Sequence, residues 1–395
     1  MRKILLIIVL IPLLAGAAWI YFREQAFPNY GPAYREYAYI TNGKSNTVSV
    51  IDLRTFEIAK TIPVGASPTG VAANSKKNEI YVVNTASNNV SFIDAEKNIV
   101  EATLGVHGRP YFIDVAQDGN RAYVANSGSA NVSVIDLEKR LVLGNIRVGS
   151  EPGLAKVSPD GATVVVSNRA DNTVSIIDAK LLRVRATLPV CQHPEDIAIL
   201  PDSSKAFVAC SGSSQVASIA LANNKNGENA SDRVLALLDV GKTPVSVTLK
   251  PDGGELVVCD FDSDSISFVE TGSDEVGSSA TIGQHPAHAV ITRDNSRLYV
   301  SNFGSDNVAV YDIDMGRRVS TLEVGSHPDG LALSEDERYL LVLDTQAGDV
   351  TVIQKRNPRK LEPGEYSLLT MIPVGLQPNA IVVKSFMVSK PSPAK

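Results

Sequence analysis

The chain repeats itself every 42 residues. Tyr39-Ile40-Thr41-Asn42 returns as Tyr81-Val82-Val83-Asn84, Tyr123-Val124-Ala125-Asn126, Val165-Val166-Ser167-Asn168 and Phe207-Val208-Ala209-Cys210, each 42 residues after the last. After one step of 50, Val257-Val258-Cys259-Asp260, Tyr299-Val300-Ser301-Asn302 and Leu341-Val342-Leu343-Asp344 resume the spacing. A length of 395 residues would ordinarily suggest two or three domains, but a fixed period of this size assigns the residues to one repetitive architecture.

Each unit reads as four short strands. The Tyr-Val-x-Asn segment is rich in β-branched and aromatic residues, which suit a pleated surface. A polar turn leads to an alternating strand that ends in Asp, as in Asn131 to Asp136. A third strand closes on Val-Gly, at Val64-Gly65, Val148-Gly149, Val240-Gly241, Val324-Gly325 and Val374-Gly375. The fourth opens on proline and turns back through segments such as Ser158-Pro159-Asp160-Gly161, where Pro and Gly supply hairpin dihedrals. Four antiparallel strands per 42 residues is the period of a β-propeller blade. The first unit lacks a proline-initiated strand, and a spare one, Pro378 to Val383, follows the eighth. That C-terminal strand is expected to complete the N-terminal blade and remove an open sheet edge. The expectation is an all-β, single propeller over 37–384 with eight blades, or seven if one degenerate unit forms no blade.

At these residues the chain resembles the YVTN family of β-propeller repeats, over roughly Tyr37 to Lys384. The resemblance implies a closed ring and an extracytoplasmic or surface-associated protein, and implies no particular activity. At greater distance the eight-blade count is similar to the haem d1-binding propellers of nitrite reductase and its biogenesis proteins, and the repeat style is similar to lactonase propellers. Fold likeness alone carries no chemistry.

Before the repeats, Arg2 and Lys3 precede an apolar run from Ile4 to Phe22, and Arg23-Glu24 closes it. Residues 1–23 read as a secretory signal peptide or an uncleaved signal anchor, since the run spans roughly 28 Å as a helix. The reading leans to the anchor, because cleavage after Ala15-Gly16-Ala17 would leave Trp19, Ile20, Tyr21 and Phe22 on the mature terminus. The rest is then exported to the periplasm or cell surface, touching the membrane only through this segment. Residues 24–36 form a lead-in and 385–395 a flexible tail. The exported part carries 34 basic against 43 acidic side chains, and no basic run interrupts it, so nucleic acid is not an expected partner. The three cysteines, Cys191, Cys210 and Cys259, form no close pair and no haem-attachment motif. An exported protein can oxidise two of them, but the expectation is three free, mostly buried thiols.

The recurring Asn and Asp residues are expected to be structural, capping turns through their own backbone. The histidines carry the sharper hypothesis. Three of the five occupy one repeat position, immediately before the proline of the innermost strand: His193-Pro194, His285-Pro286 and His327-Pro328. Elsewhere that position holds Ser67, Arg109, Glu151, Thr243 and Gln377. The link joins one blade's outer strand to the next blade's inner strand, so its residues should ring the channel mouth. His288 and His107 lie close by in sequence, with Glu195, Asp196, Asp329, Tyr111 and Phe112. The candidate ligand-binding rim is therefore His107, Arg109, Glu151, His193, Glu195, His285, His288, His327 and Asp329. A metal could draw on His285, His288 and His327; a haem d1-like tetrapyrrole is the larger alternative, although the repeats contain no tryptophan to stack on it.

No nucleophile elbow, zinc-protease helix or phosphate loop is present. The favoured function is a non-enzymatic binding or scaffold protein that takes a protein or small molecule at the rim, with no resident cofactor and no catalytic residues. The alternatives are a metal- or tetrapyrrole-binding redox accessory protein and a lactonase-like hydrolase. Two insertions, Asn223 to Ala230 and around Asn357 to Gly364, are expected on the face opposite the histidines.

Overall fold

The computed structural model of the chain describes residues 31–222, 231–355 and 365–388. The leader, both insertions and the last seven residues lie outside them. Among the described residues no helix is long and apolar enough to cross a membrane.

Eight four-stranded antiparallel sheets form the blades of a single propeller. Blade 2 shows the plan, with strands Pro68–Ala73, Glu79–Asn84, Asn89–Asp94 and Ile99–Gly105 running from the inside outward. Blades 3 to 8 open on Pro110, Pro152, Pro194, Pro244, Pro286 and Pro328. Blade 1 is composite. Its inner strand is Pro378–Met387, and Tyr34–Asn42, Thr47–Asp52 and Glu57–Pro63 follow outward, so the two ends of the chain share one sheet. Pairing there runs from Tyr34↔Met387 inward, three residues beyond the Tyr37 to Lys384 span read from the repeat. The closure removes the edges that an open stack would expose.

The core is divided among the seams. Eight hydrophobic clusters each join residues of two adjacent blades: Tyr39, Val48 and Val50 of blade 1 pack with Val82 and Ile93 of blade 2, and Ala38, Ile40 and Ile51 of blade 1 pack with Leu341 and Val352 of blade 8. The middle two strands of each blade are buried on both faces, which explains their nearly continuous apolar runs. The repeat tyrosine is buried with a hydroxyl that needs a partner; that of Tyr39 donates to Asn98 Oδ1 of blade 2 at 2.7 Å.

The recurring polar residues divide into two kinds. Asp52, Asp94, Asp136 and Asp178 cap turns as expected, accepting the backbone N–H two residues on at 2.8 to 3.1 Å. The asparagines do not cap turns, and this corrects the sequence expectation. Asn42, Asn84, Asn126 and Asn168 are fully buried, and each Nδ2 donates across the hairpin to side chains five and seven residues on, as from Asn84 to Asn89 Oδ1 at 2.7 Å and Ser91 Oγ at 2.9 Å. Against Asn42, Asn84 and Asn168 lies the Val-Gly glycine of the preceding blade. A Cβ on Gly65 would sit 2.6 Å from Asn84 Cβ, one on Gly149 2.7 Å from Asn168 Cβ, and one on Gly375 2.6 Å from Asn42 Cβ at ring closure. Glycine recurs there because the asparagine fills the space a side chain would need.

One seam replaces both members of that pair. Cys191 stands where the glycine recurs, Cys210 where the asparagine recurs, and they form a disulfide between blades 4 and 5. The expectation of three free thiols is thus wrong for two of them; Cys259 alone is free and buried. Two further seams set an aspartate against the glycine, Gly241 with Asp260 and Gly325 with Asp344. Burial pushes the Asp260 carboxyl up to about 6, against the pull of its bond from Ser267 Oγ. Asp344 is also raised, first by burial and further by the neighbouring Asp349.

Candidate functional site

The eight links before the inner prolines share one conformation. Ser67, Arg109, Glu151, His193, Thr243, His285, His327 and Gln377 all have φ between 49° and 55°. Few side chains adopt this left-handed region, and histidine is among those enriched in it, which supplies a structural reason for His at three of the eight positions. The link backbone is pinned by the blade before: the N–H of His193 donates to Asn172 Oδ1 at 2.9 Å, that of His285 to Asp264 Oδ1 at 3.0 Å and that of His327 to Asp306 Oδ1 at 2.8 Å. In turn, link carbonyls accept the N–H of the residue that follows the repeat asparagine. Ser127 donates to Arg109, Arg169 to Glu151, Ser211 to His193, Phe261 to Thr243 and Phe303 to His285. The channel mouth is therefore two rings of side chains on a rigid backbone, one from the links and one from these following positions.

The side chains divide the mouth into two arcs. Along blades 6 to 8 it is aromatic. The imidazole of His285 stacks on Phe261 with centroids 4.5 Å apart and planes 6° from parallel. His327 meets Phe303 edge-on at 4.5 Å, and the two phenylalanines lie 6.1 Å apart. Along blades 3 to 5 it is charged. The Arg169 guanidinium lies over the Tyr111 ring at 4.6 Å and pairs with Glu195 Oε2 at 2.9 Å. Glu195 Oε1 meets His193 Nδ1 at 2.7 Å and the Ser211 hydroxyl at 3.4 Å.

Below the mouth the inner strands carry a second polar level. His288 Nδ1 is 2.7 Å from Asp329 Oδ1. Burial opposes the charged imidazole, but Asp329 and then Asp196 outweigh it and raise His288, while His288 holds Asp329 below the usual carboxylate range against the effect of its own burial. Asp196 is raised by burial although it accepts the N–H groups of Val247 and Ile197. Lys156 lies over Phe112 and reaches Asp114 at 4.0 Å.

The nine rim candidates separate accordingly. His193 and Glu195 join one cluster, His285 and His327 the aromatic arc, and His288 and Asp329 the level beneath. Arg109 and Glu151 stand on links, Arg109 with its Cβ packed over Gly128. His107 is elsewhere: it occupies the recurring glycine position at the seam between blades 2 and 3, and its Nδ1 is held 2.8 Å from Asn131 Nδ2. The three histidines proposed for a metal do not converge, being spent on Phe261, Asp329 and Phe303. Among the described residues no three His, Cys, Asp or Glu side chains form a metal-binding group. Sequence reasoning missed Arg169, Phe261 and Phe303. Their signal was the position after the repeat asparagine, which varies as Gly43, Thr85, Ser127, Arg169, Ser211, Phe261, Phe303 and Thr345.

Hollows also lie at the other end of the ring. Cavities of about 570 and 350 Å³ lie among the turns that follow the inner strands, one lined by Gln117, Asp160, Asp202 and Lys250, the other by Arg293, Ser334 and Glu337. A groove of about 930 Å³ beside them runs along blades 3 and 4. The turn aspartates there belong to the repeat, since Asp118, Asp202, Asp252 and Asp294 each accept the N–H two residues on at 2.9 to 3.0 Å, while Gln117, Lys250 and Arg293 do not recur. These hollows follow from turn geometry. The histidine mouth holds what the repeat does not require.

Among known proteins, a family model described as YNCE-like beta-propeller matches residues 26–156 and 146–361. The chain belongs to the YNCE-like beta-propeller family. No curated protein sequence matches it. This YNCE-like propeller is similar in structure to the dihydro-heme d1 dehydrogenase NirN, at 13% identity with a TM-score of 0.71 over 88% of this chain and 74% of that one. It is also similar to a chain of Kuenenia stuttgartiensis hydrazine synthase, at 21% identity and TM-score 0.57 over 69% and 91% of the two chains. A third likeness is to a putative 6-phosphogluconolactonase from Bacteroides uniformis, at 17% identity and TM-score 0.57 over 80% and 98%. At these identities the likeness is one of fold.

Proposed function

We propose that this YNCE-like propeller is an extracytoplasmic, non-enzymatic binding protein that takes a small molecule, or a segment of a partner protein, at the histidine-bearing mouth. One observation carries the reading. The mouth sets an aromatic arc, Phe261, His285, Phe303 and His327, beside a charged arc, Tyr111, Arg169, Glu195 and His193, on a backbone that all eight blades hold alike. At these mouth positions the side chains depart from the repeat while the backbone keeps to it, so the shared backbone does not demand them. The leader supports export, and the Cys191–Cys210 disulfide fits an oxidising compartment.

The test compares natively expressed full-length protein with a variant carrying Phe261→Leu, Phe303→Leu and Arg169→Gln. Mass spectrometry of the purified proteins should find a small molecule or peptide retained by the first and lost from the second, at unchanged melting temperature. Equal retention by both sinks the reading. Turnover of a lactone abolished by the same substitutions would replace it with a hydrolase.

A second reading, a tetrapyrrole-binding accessory protein, is favoured by the aromatic arc: a flat ring system suits Phe261 and Phe303, with the imidazoles of His285 and His327 beside them as nitrogen donors. It requires a visible absorption band in natively expressed protein or on adding a tetrapyrrole. Protein that stays colourless in both trials rules it out.

A further inference from the structure

We propose that Arg169 anchors a singly charged carboxylate at the channel mouth; this rests on the reading of the mouth as the binding surface and names the chemistry it selects. The guanidinium is held in place before any ligand arrives. Tyr111 lies under one face at 4.6 Å. On another side is Gly153, where an added Cβ would come within 2.5 Å of Arg169 Nε, so this inner-strand position must be glycine for the arginine to lie there. Glu195 Oε2 lies 2.9 Å from Nε, and the side chain is only 19% exposed.

Yet the guanidinium is not satisfied. A guanidinium carries five N–H donors. Nε is buried without a hydrogen bond, its contact with Glu195 lying off the bonding direction, and no described residue accepts from either terminal nitrogen. Glu195 cannot turn to serve them, since its other oxygen is committed to His193 and Ser211. A planar fork of donors, stacked, confined and unmet, matches an acceptor with two oxygens in one plane. Charge decides which. Around the same links three cations, Arg109, Arg169 and Lys242, face four carboxylates, Glu151, Glu195, Asp262 and Asp329, so each further negative charge on the ligand adds repulsion. A carboxylate fits this balance better than a phosphate dianion.

The probes are naphthoate, its uncharged isostere naphthamide and naphthyl phosphate, titrated calorimetrically into the full chain. Naphthoate should bind at least about tenfold more tightly than naphthamide, a difference of the size of one charged hydrogen-bond pair. Arg169→Gln should abolish the difference, and Arg169→Lys, which keeps the charge and loses the fork, should restore only part of it. Phe261→Leu should weaken naphthoate and naphthamide by the same factor. Equal binding of these two to the wild type overturns the anchor and leaves the mouth as a binding surface. Tighter binding of naphthyl phosphate overturns the single-charge assignment. If none of the three binds, both the anchor and the mouth reading fall.

Discussion

The seams between blades and the mouth of the channel are built from neighbouring residues of the same repeat, and they behave oppositely. At the seam the glycine after the outer strand and the asparagine of the next blade recur because each occupies the other's space, as at Gly65–Asn84 and Gly149–Asn168. One residue past that asparagine, and two past that glycine, the chain reaches the mouth, where the backbone recurs and the side chains do not. Repetition marks what packing demands. Variation on a repeated backbone marks what packing leaves free, and there the aromatic and charged arcs were placed.

The seam half of this contrast is broken most severely by Gly65→Val. The new side chain would overlap Asn84, and the loss is expected at about 3 kcal/mol, read as the denaturant midpoint. A midpoint that does not move would mean the glycine recurs for another reason. Next in size is the covalent seam. Reducing Cys191–Cys210, which closes a loop of 19 residues, should cost roughly 3 kcal/mol at most and lower the melting temperature. The double substitution Cys191→Gly, Cys210→Asn rebuilds the pair used elsewhere in the ring and should make melting indifferent to reductant. Wild-type melting that already ignores reductant contradicts the equivalence.

The aspartate seams sharpen the comparison through pH. Burial raises Asp260 to about 6, so the folded state prefers it protonated. Its stabilising share is complete below the ordinary carboxylate range and is lost as pH rises through about 6. Asp260→Asn should therefore add about 2 kcal/mol at pH 8 and little near pH 4. Asp344→Asn should act in the same direction. A gain that is constant across that range refutes the assignment. Smallest in stability are the mouth changes: Phe261→Leu with Phe303→Leu should shift unfolding by no more than about 0.5 kcal/mol while removing ligand binding. A large loss of stability would return these phenylalanines to the fold.

The architecture was legible because a propeller writes each blade into the chain separately. The period, the proline starts and the spare strand from Pro378 pointed to eight sheets, with seven as the alternative, and to a composite first blade, and eight are found with the two chain ends sharing one. What was not legible were contacts between blades. Cys191 and Cys210 are 19 residues apart and look unrelated until the glycine and asparagine they replace are known to face each other. The same holds for the asparagines, whose buried bonds run across a hairpin and resemble turn caps on paper. At the site, the link histidines were visible from their shared position. Arg169, Phe261 and Phe303 were hidden one residue beyond an invariant-looking motif, in a slot that Thr85 and Ser127 fill only with hydroxyls bonded to the backbone.

Two ends of one channel compete for the ligand, and amide hydrogen exchange on the full chain with and without naphthoate separates them. Slowed exchange is predicted at the links and following positions of the histidine mouth, within 109–112, 151–153, 168–170, 191–196, 261–263, 284–288 and 303–304, and none in the turns 116–119, 158–162 and 200–204. Protection confined to those turns would place binding in the cavities at the opposite end and contradict the account.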